Sequence, residues 1–333
     1  MRAAVLRKAG SIEQDRLLFE ERDVPAPAAG EILVRVSACG VCRTDLHIIE
    51  GELEPHRAVI VPGHQIVGTI ARVGPGVRLA ENVRVGISWL ASTDGTCLYC
   101  REGRENLCDA AAFTGYDRDG GYATYTLARA DFAYPLPGEL DDLQAAPLLC
   151  AGIIGFRALR VAGVQPGERV GLYGFGSSAH LALPVLKAWG CVVSVATRGE
   201  KHRAFAAHLG ADWVGSELDR PPAPLDRAIT FAPSGDVVVA ALRALRKGGV
   251  VAINAIHLDR MPEFDYDSLL WGERELRSVT NMTRDDARDF LVLAADIKLR
   301  PATTVFPLDH VNDALRAVAA DAIDGAAVVS MKK

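Results

Sequence analysis

The sequence predicts an α/β protein in two parts. One is a doubly wound parallel sheet in the second half of the chain, and the other a β-rich domain made discontinuous by the C-terminal tail. Three observations lead there. From Glu168 onward, strand-like and helix-like stretches alternate, the pattern of a parallel sheet covered by helices on both faces. Before residue 148, short alternating segments are separated by turn residues such as Pro25-Ala26-Pro27 and Gly74-Pro75-Gly76, which punctuate strands. The tail, 303–333, begins and ends on strand-like runs that are expected to return to the first domain. At 333 residues the chain is also too long for one ordinary core.

Taken in order, residues 1–8 alternate as a strand, with Ala3 and Val5 on one face and Ala4 and Leu6 on the other. Further strands are expected at 31–36, 66–73, 82–87 and 122–127, giving an irregular barrel or sandwich whose functional side chains sit on loops. The second half reads strand 170–173, helix 177–189, strand 191–196, helix 200–209, strand 227–231, helix 237–247 and strand 250–254. Pro221-Pro222-Ala223-Pro224 is a loop between units. A last strand at 276–281 precedes a helix with Phe290, Leu293 and Ala294 on its apolar face, and 304–306 and 326–330 are the strand-like runs of the tail.

Composition narrows the function. With 49% hydrophobic residues, 24% charged residues and a net charge of −5, nothing favours nucleic acid or an anionic membrane as partner. The first residues lack the apolar core, about 7–15 residues long, of a signal peptide. The longest apolar run, 145–156, has 12 residues and contains Pro147, short of the roughly 20 needed to cross a bilayer. A soluble cytoplasmic protein acting on a small molecule is expected. Its seven cysteines then read as ligands or buried thiols rather than disulfides.

A nucleotide site is legible from local pattern. Residues 170–173 run into Gly174-Phe175-Gly176-Ser177-Ser178-Ala179 and a helix, the strand, Gly-x-Gly-x-x-Ala and helix order of a Rossmann dinucleotide fingerprint. About 20 residues further on, an acidic side chain ordinarily binds the adenosine ribose of NAD. Here Thr197 and Arg198 stand at that place. Loss of the carboxylate removes repulsion against a 2′-phosphate and the arginine can pair with it, so NADP(H) is favoured over NAD(H). The opposing reading is an ordinary solvated arginine at a strand end.

Three distant stretches carry a second signal: Gly40-Val41-Cys42-Arg43-Thr44-Asp45-Leu46-His47, Pro62-Gly63-His64-Gln65 and Pro147-Leu148-Leu149-Cys150-Ala151-Gly152. Together they resemble the zinc-containing alcohol dehydrogenases of the medium-chain dehydrogenase/reductase superfamily, over nearly the whole chain. The resemblance implies a GroES-like catalytic domain at 1–151, a Rossmann domain at 152–284 and a return to the first domain at 285–333. It implies a catalytic zinc on Cys42, His64 and Cys150, the two-cysteine, one-histidine set that leaves a fourth position open. Thr44 is then the hydroxyl on the reacting oxygen, His47 the outer end of a proton relay, and Asp45 the carboxylate that orients His64. Arg43 joins Gly174, Gly176, Ser177, Ser178, Thr197 and Arg198 as a cofactor-binding residue. Trp89 is either an aromatic wall of the substrate pocket or a core indole.

The same resemblance makes Cys97-x2-Cys100-x7-Cys108 the last three ligands of a structural metal lobe, with Asp94 in the first position where the family has cysteine. Two zinc ions per chain follow, a metal-free lobe being the alternative. A second departure is Gln65, where the family usually has glutamate; Gly-His-Gln resembles a bacterial branch of it. Cys39 is expected to be a buried thiol rather than half of a Cys39-x-x-Cys42 redox pair. Cys191 is expected in the core, His180 in a structural role, and His56, His202, His208, His257 and His310 at the surface. The implied activity is hydride transfer between an alcohol and an aldehyde or ketone by a homodimer or homotetramer. Polyol or quinone reductases of the superfamily are rivals, although quinone reductases lack counterparts of the three zinc ligands. A non-catalytic zinc- or nucleotide-sensing relative is the rival of another class.

Overall fold

A computed structural model describes residues 1–323 and 325–332. Within the expected returning segment 285–333, Asp324 and Lys333 lie outside the described residues. The chain divides into two compact units, Met1–Ala151 with Met282–Lys333, and Gly152–Asn281.

The first unit is organised on the long strand Glu31–Val41. Its sheet runs in the order Thr303–Pro307, Ala326–Ser330, Glu31–Val41, Gln65–Val73, Arg84–Ile87 and Ala133–Pro135, while Tyr125–Arg129 also pairs with Glu31–Val41. One strand meets three partners because one of its edges is divided, residues 31–35 pairing with Tyr125–Arg129 and residues 38–41 with Ala326–Ser330; its register with Gln65–Val73 shifts at Leu33/Val34 and Val36/Ala38, and such irregularities bend a strand. The tail enters this sheet directly, Val329 lying opposite Cys39 in an antiparallel pair. Gly68 allows a close approach of the two strands: a β-carbon there would fall 2.4 Å from the Arg35 carbonyl oxygen. Ile32, Ile49, Ile66, Ile70, Ile87 and Tyr122 are fully buried in its core.

Several expectations need correction here. The segment expected to be loop after Val41 is a helix, Arg43–Glu50. The strand expected at 122–127 is Tyr125–Arg129, because the backbone before it meets the first strand instead: Ala4 N–H donates to the Tyr122 carbonyl at 2.8 Å and Thr124 N–H to the Arg2 carbonyl at 2.9 Å. The strand expected from 82 starts at Arg84, after Asn82 turns the chain at φ 66, a conformation asparagine tolerates. Leu17–Glu21 pairs with Arg2–Leu6 in a separate hairpin. Its Leu-Leu-Phe-Glu-Glu sequence lacks the period-2 pattern that would have marked it.

The second unit is a six-stranded sheet in which every pairing is parallel. The order is Trp213–Gly215, Val192–Ala196, Arg169–Tyr173, Leu225–Thr230, Leu245–Ile253 and Glu275–Ser278. Counted along the chain this is 3-2-1-4-5-6, the doubly wound Rossmann order, in which strand order reverses beside the first strand. Helices Ser177–Ala188, Glu200–His208 and Gly235–Ala244 make crossovers. The helix expected to reach 247 stops at Ala244, and Leu245 already pairs with Leu225. The last strand ends at Ser278 rather than 281.

One further correction concerns the apolar run at 145–156. It lies in a continuous helical segment, Asp142–Ala162, of 21 residues, long and apolar enough to cross a membrane. The most apolar window of this segment is 72% buried within the protein, which is the behaviour of a core helix.

Helix Arg284–Asp296 begins on a capping box: Asp286 N–H donates to the Thr283 hydroxyl at 3.1 Å, and Thr283 N–H to the Asp286 carboxylate at 2.9 Å. It buries Ala287, Phe290, Leu291 and Ala294. Replacing Thr283 with Ala is expected to destabilise the protein by about 1 kcal/mol, seen as a lower urea midpoint at unchanged m-value.

Candidate functional site

All three candidate ligands are held in the first unit. Cys42 terminates strand Glu31–Val41 and is the N-cap of helix Arg43–Glu50 with extended geometry, φ −128 and ψ 160. His64 precedes strand Gln65–Val73. It follows Gly63 at φ 94, where a β-carbon would sit 2.8 Å from the Tyr122 ring and 2.9 Å from the Cys39 sulfur. Cys150 lies in a π-helical turn, Leu148–Gly152, an irregularity frequent at functional sites. The ligand atoms of Cys42, His64 and Cys150 lie within 4.8 Å of one another. A helix terminus and a π turn therefore carry two side chains that were expected on loops.

Asp45 joins these stretches. Its carboxylate is fully buried and accepts four hydrogen bonds, from Cys42 N–H at 2.9 Å, Gly63 N–H at 3.2 Å, His64 Nδ1 at 3.0 Å and the Tyr122 hydroxyl at 3.0 Å. Four donors match the lone-pair capacity of a carboxylate. The bond to Nδ1 aims the other ring nitrogen, Nε2, at the sulfurs. That atom is buried and has no hydrogen-bond partner among the described residues.

The electrostatics are those of a cation site. The two sulfurs share a proton: donation from Cys150 holds Cys42 well below the ordinary thiol value. The same bond, together with burial, pushes Cys150 up. Burial acts to lower the His64 value, but the Asp45 carboxylate and then Cys42 override it and raise it to about 10. His64 thus lies between the Asp45 carboxylate and two sulfurs whose protons a cation can displace. A divalent cation would replace those protons and give Nε2 its partner, so the residues present fit zinc.

Around this centre, Thr44 is buried with its hydroxyl 3.7 Å from the Cys42 sulfur. His47, half-buried one turn along the helix, meets the Glu52 carboxylate through Nδ1. Arg43 is exposed at the start of that helix. Trp89 stands edge-on to the His64 ring, centroids 5.1 Å apart, and stacks on Phe113 at 4.9 Å. It packs on the core and against the His64 imidazole together. Gln65 is buried over Gly40, where a β-carbon would be 3.0 Å from its side-chain amide. Cys39 is fully buried, and burial, reinforced by Asp45, pushes its thiol far up, which suits a packing role and not a redox pair.

Asp94, Cys97, Cys100 and Cys108 form the second cluster, again with ligand atoms within 4.8 Å. Asp94 accepts from the N–H groups of Cys97 at 2.9 Å and Thr96 at 2.8 Å, which hold its carboxyl well below the usual range. The short helix Leu98–Arg101 then presents Cys100 beside Cys97. Glu105, buried in the same lobe, accepts from Arg284 through both its N–H and Nε, at 3.0 and 3.1 Å. The lobe is thereby tied to the helix that opens the returning segment.

In the second unit, Gly174 turns at φ 88 against the backbone of Ala232, and Gly176 faces open space. Helix Ser177–Ala188 has no side-chain cap, so the N–H groups of Ser177 and Ser178 are available to an anion. Thr197 is buried. Arg198 is exposed (80%) and pairs with Glu217 at 3.2 Å. His180 is buried; among the described residues neither ring nitrogen has a hydrogen-bond partner, and burial lowers it to about 4. His56 and His310, expected at the surface without partners, are exposed but pair with Asp117 and Asp313.

Sequence reasoning missed Tyr122, Glu52 and Glu217. For Tyr122 a signal existed. Gly120 and Gly121 precede it, and β-carbons there would lie 2.0 Å from the Gly63 carbonyl oxygen and 2.9 Å from the Cys39 sulfur, the close approach that glycines in a strand context mark.

Known proteins are similar to this chain along its length. The family described as the alcohol dehydrogenase GroES-like domain matches residues 28–138. The "Probable alcohol dehydrogenase AdhA" of Mycobacterium tuberculosis is 48% identical over 99% of this chain and 97% of its own. An alcohol dehydrogenase of Geobacillus stearothermophilus is 35% identical over 97% and 99%. Among solved structures, an acetophenone reductase from Geotrichum candidum in complex with NAD superposes with a TM-score of 0.87, at 25% identity over 99% of this chain and 96% of that one.

Asp45→Asn keeps the size of the side chain but brings an NH2 group against four donors. It is expected to weaken divalent-metal retention about 10- to 100-fold, measured by competition with a chelator, with the circular dichroism spectrum unchanged.

Proposed function

Because the chain belongs to the alcohol dehydrogenases of the medium-chain dehydrogenase/reductase superfamily, we propose that it oxidises an alcohol, or reduces an aldehyde or ketone, at a zinc held by Cys42, His64 and Cys150. The observation that carries this reading is the convergence of two thiols on the orphaned Nε2 of His64. Zinc supplies Lewis acidity toward the substrate oxygen, and a nicotinamide cofactor takes or gives the hydride.

The chain's own residues do the rest. Asp45 fixes the His64 tautomer through Nδ1. The Thr44 hydroxyl, beside the Cys42 sulfur, gives up its own proton as it accepts that of the alcohol, or the reverse in reduction, and His47 carries the released proton outward. Trp89 packs a flat apolar wall against the ligand imidazole and shapes the space for substrate carbon. Gly174, Gly176, Ser177 and Ser178 hold the cofactor phosphates, the uncapped helix supplying N–H donors; Arg43 is the cofactor-binding residue of the first unit. The protein acts in the cytoplasm as a homodimer or homotetramer. Exposed Met261, Tyr266 and Trp271 in the second unit are the apolar surface that assembly would cover.

Asp94, Cys97, Cys100 and Cys108 bind a second, structural zinc, since three thiolates and a carboxylate complete a closed tetrahedral set. Metal analysis of the purified protein should find two zinc ions per chain. Cys150→Ala should lose one of them and all alcohol-dependent change in nicotinamide absorbance, whereas Cys108→Ser should lose the other and lower Tm. Full zinc content and normal turnover in Cys150→Ala would remove the ligand assignment.

NADP(H) is the preferred cofactor on this reading, with Arg198 as the cation near the adenosine ribose. Glu217 competes for that cation, and the site is open to water, so the preference for NADP in kcat/KM is expected to be about threefold to tenfold. Arg198→Ala should abolish it, and Glu217→Gln should enlarge it. Equal or better use of NAD by the native enzyme, unmoved by either change, would leave Arg198 a solvated charge.

A further inference from the structure

We infer that Glu52 is the last station of the proton path, a positioning residue that orients His47 and takes the proton from it. The inference rests on the proposed role of His47. The geometry that supports it is local and specific. Helix Arg43–Glu50 ends on Gly51 in the left-handed region, φ 83 and ψ 17, and the Leu53 N–H closes the turn on the His47 carbonyl at 3.2 Å. That turn folds Glu52 back over the last helical turn and sets its carboxylate on Nδ1 of His47. The imidazole is one-quarter exposed and the carboxylate about half exposed, 23% and 54%, so the pair runs from the site toward water.

The transfer balances without any other reactant. A proton arriving at Nε2 of His47 is matched by loss of the proton on Nδ1 to the Glu52 carboxylate. The ring stays neutral and ends in its other tautomer, and the Glu52 carboxyl releases its proton to water. In the reducing direction the same steps run backwards. Without an acceptor at Nδ1 the ring would have to hold a positive charge or wait for a correctly placed water. A carboxylate fixes both the ring plane and the direction of transfer.

The test compares Glu52→Gln, Glu52→Asp and His47→Gln in the zinc-loaded protein, using steady-state kinetics and the rate of proton release to a pH indicator in a single turnover. Glutamine keeps a hydrogen-bond acceptor for Nδ1–H but cannot take the proton. Glu52→Gln should slow proton release and kcat about threefold to tenfold, a modest loss because water reaches the site, with KM and zinc content unchanged. Acetate added to the buffer should restore it, Glu52→Asp should retain most of it, and the double variant should be no slower than His47→Gln. If His47→Gln slows proton release while Glu52→Gln matches the native protein, the role of Glu52 is overturned and the His47 path stands. If both variants match the native protein, the path itself is wrong and the inference falls with it.

Discussion

A buried carboxylate with four donors is the constraint on which the first unit depends. Removing an ionised carboxylate from water is costly unless every lone pair is met, and Asp45 meets this through groups from three separate stretches of chain. The Cys42 N–H fixes the start of the helix and the Gly63 N–H fixes the loop before His64. Tyr122 brings in the chain beyond the metal lobe, and its hydroxyl stays protonated because burial and then Asp45 push it well up. The imidazole bond does the chemical work by turning Nε2 toward the sulfurs. Folding and the metal site are thus one problem: a chain that satisfies Asp45 has already assembled two of the three candidate ligands.

Glu105 plays a related part at the lobe. It is a nearly buried acid whose partner, Arg284, comes from the returning segment. The Arg284 guanidinium also lies over the Phe132 ring at 4.7 Å. The bond to the Arg284 main chain falls at the first turn of a capped helix, where an N–H has no partner inside the helix. The lobe is consequently anchored at Glu105 by the protein itself, apart from the cluster of Asp94, Cys97, Cys100 and Cys108.

Much of this was legible in the sequence because it is carried by short-range pattern. The alternation from Glu168 announced the parallel sheet, and the glycine turn expected between a strand and a helix stands there, Gly174 at φ 88 ahead of helix Ser177–Ala188. What was not legible depends on partners distant along the chain. Nothing near Arg198 announces Glu217, because they meet only when two parallel strands end side by side. Glu52 meets His47 only because Gly51, in the left-handed region, folds it back onto the helix. The Cys42, His64 and Cys150 set needed a resemblance to be seen at all, since no local rule relates residues on a helix cap, a loop and a π turn. Leu17–Glu21 was missed for the opposite reason: the strand exists through its partner, while its own pattern argues against it.

Gln65 follows from the same charge count. The first cluster already holds one buried carboxylate and two thiols that ionise on binding a cation. A glutamate at position 65, buried against Gly40, would add a further negative charge at a place where Asp45 already uses the neighbouring donors, Gly63 N–H and His64 Nδ1. The neutral amide needs no counter-charge. It also leaves the field of a bound cation less offset, which favours loss of a proton from an oxygen placed beside it. Gln65 would therefore change the field around a bound cation without touching the candidate ligands Cys42, His64 and Cys150.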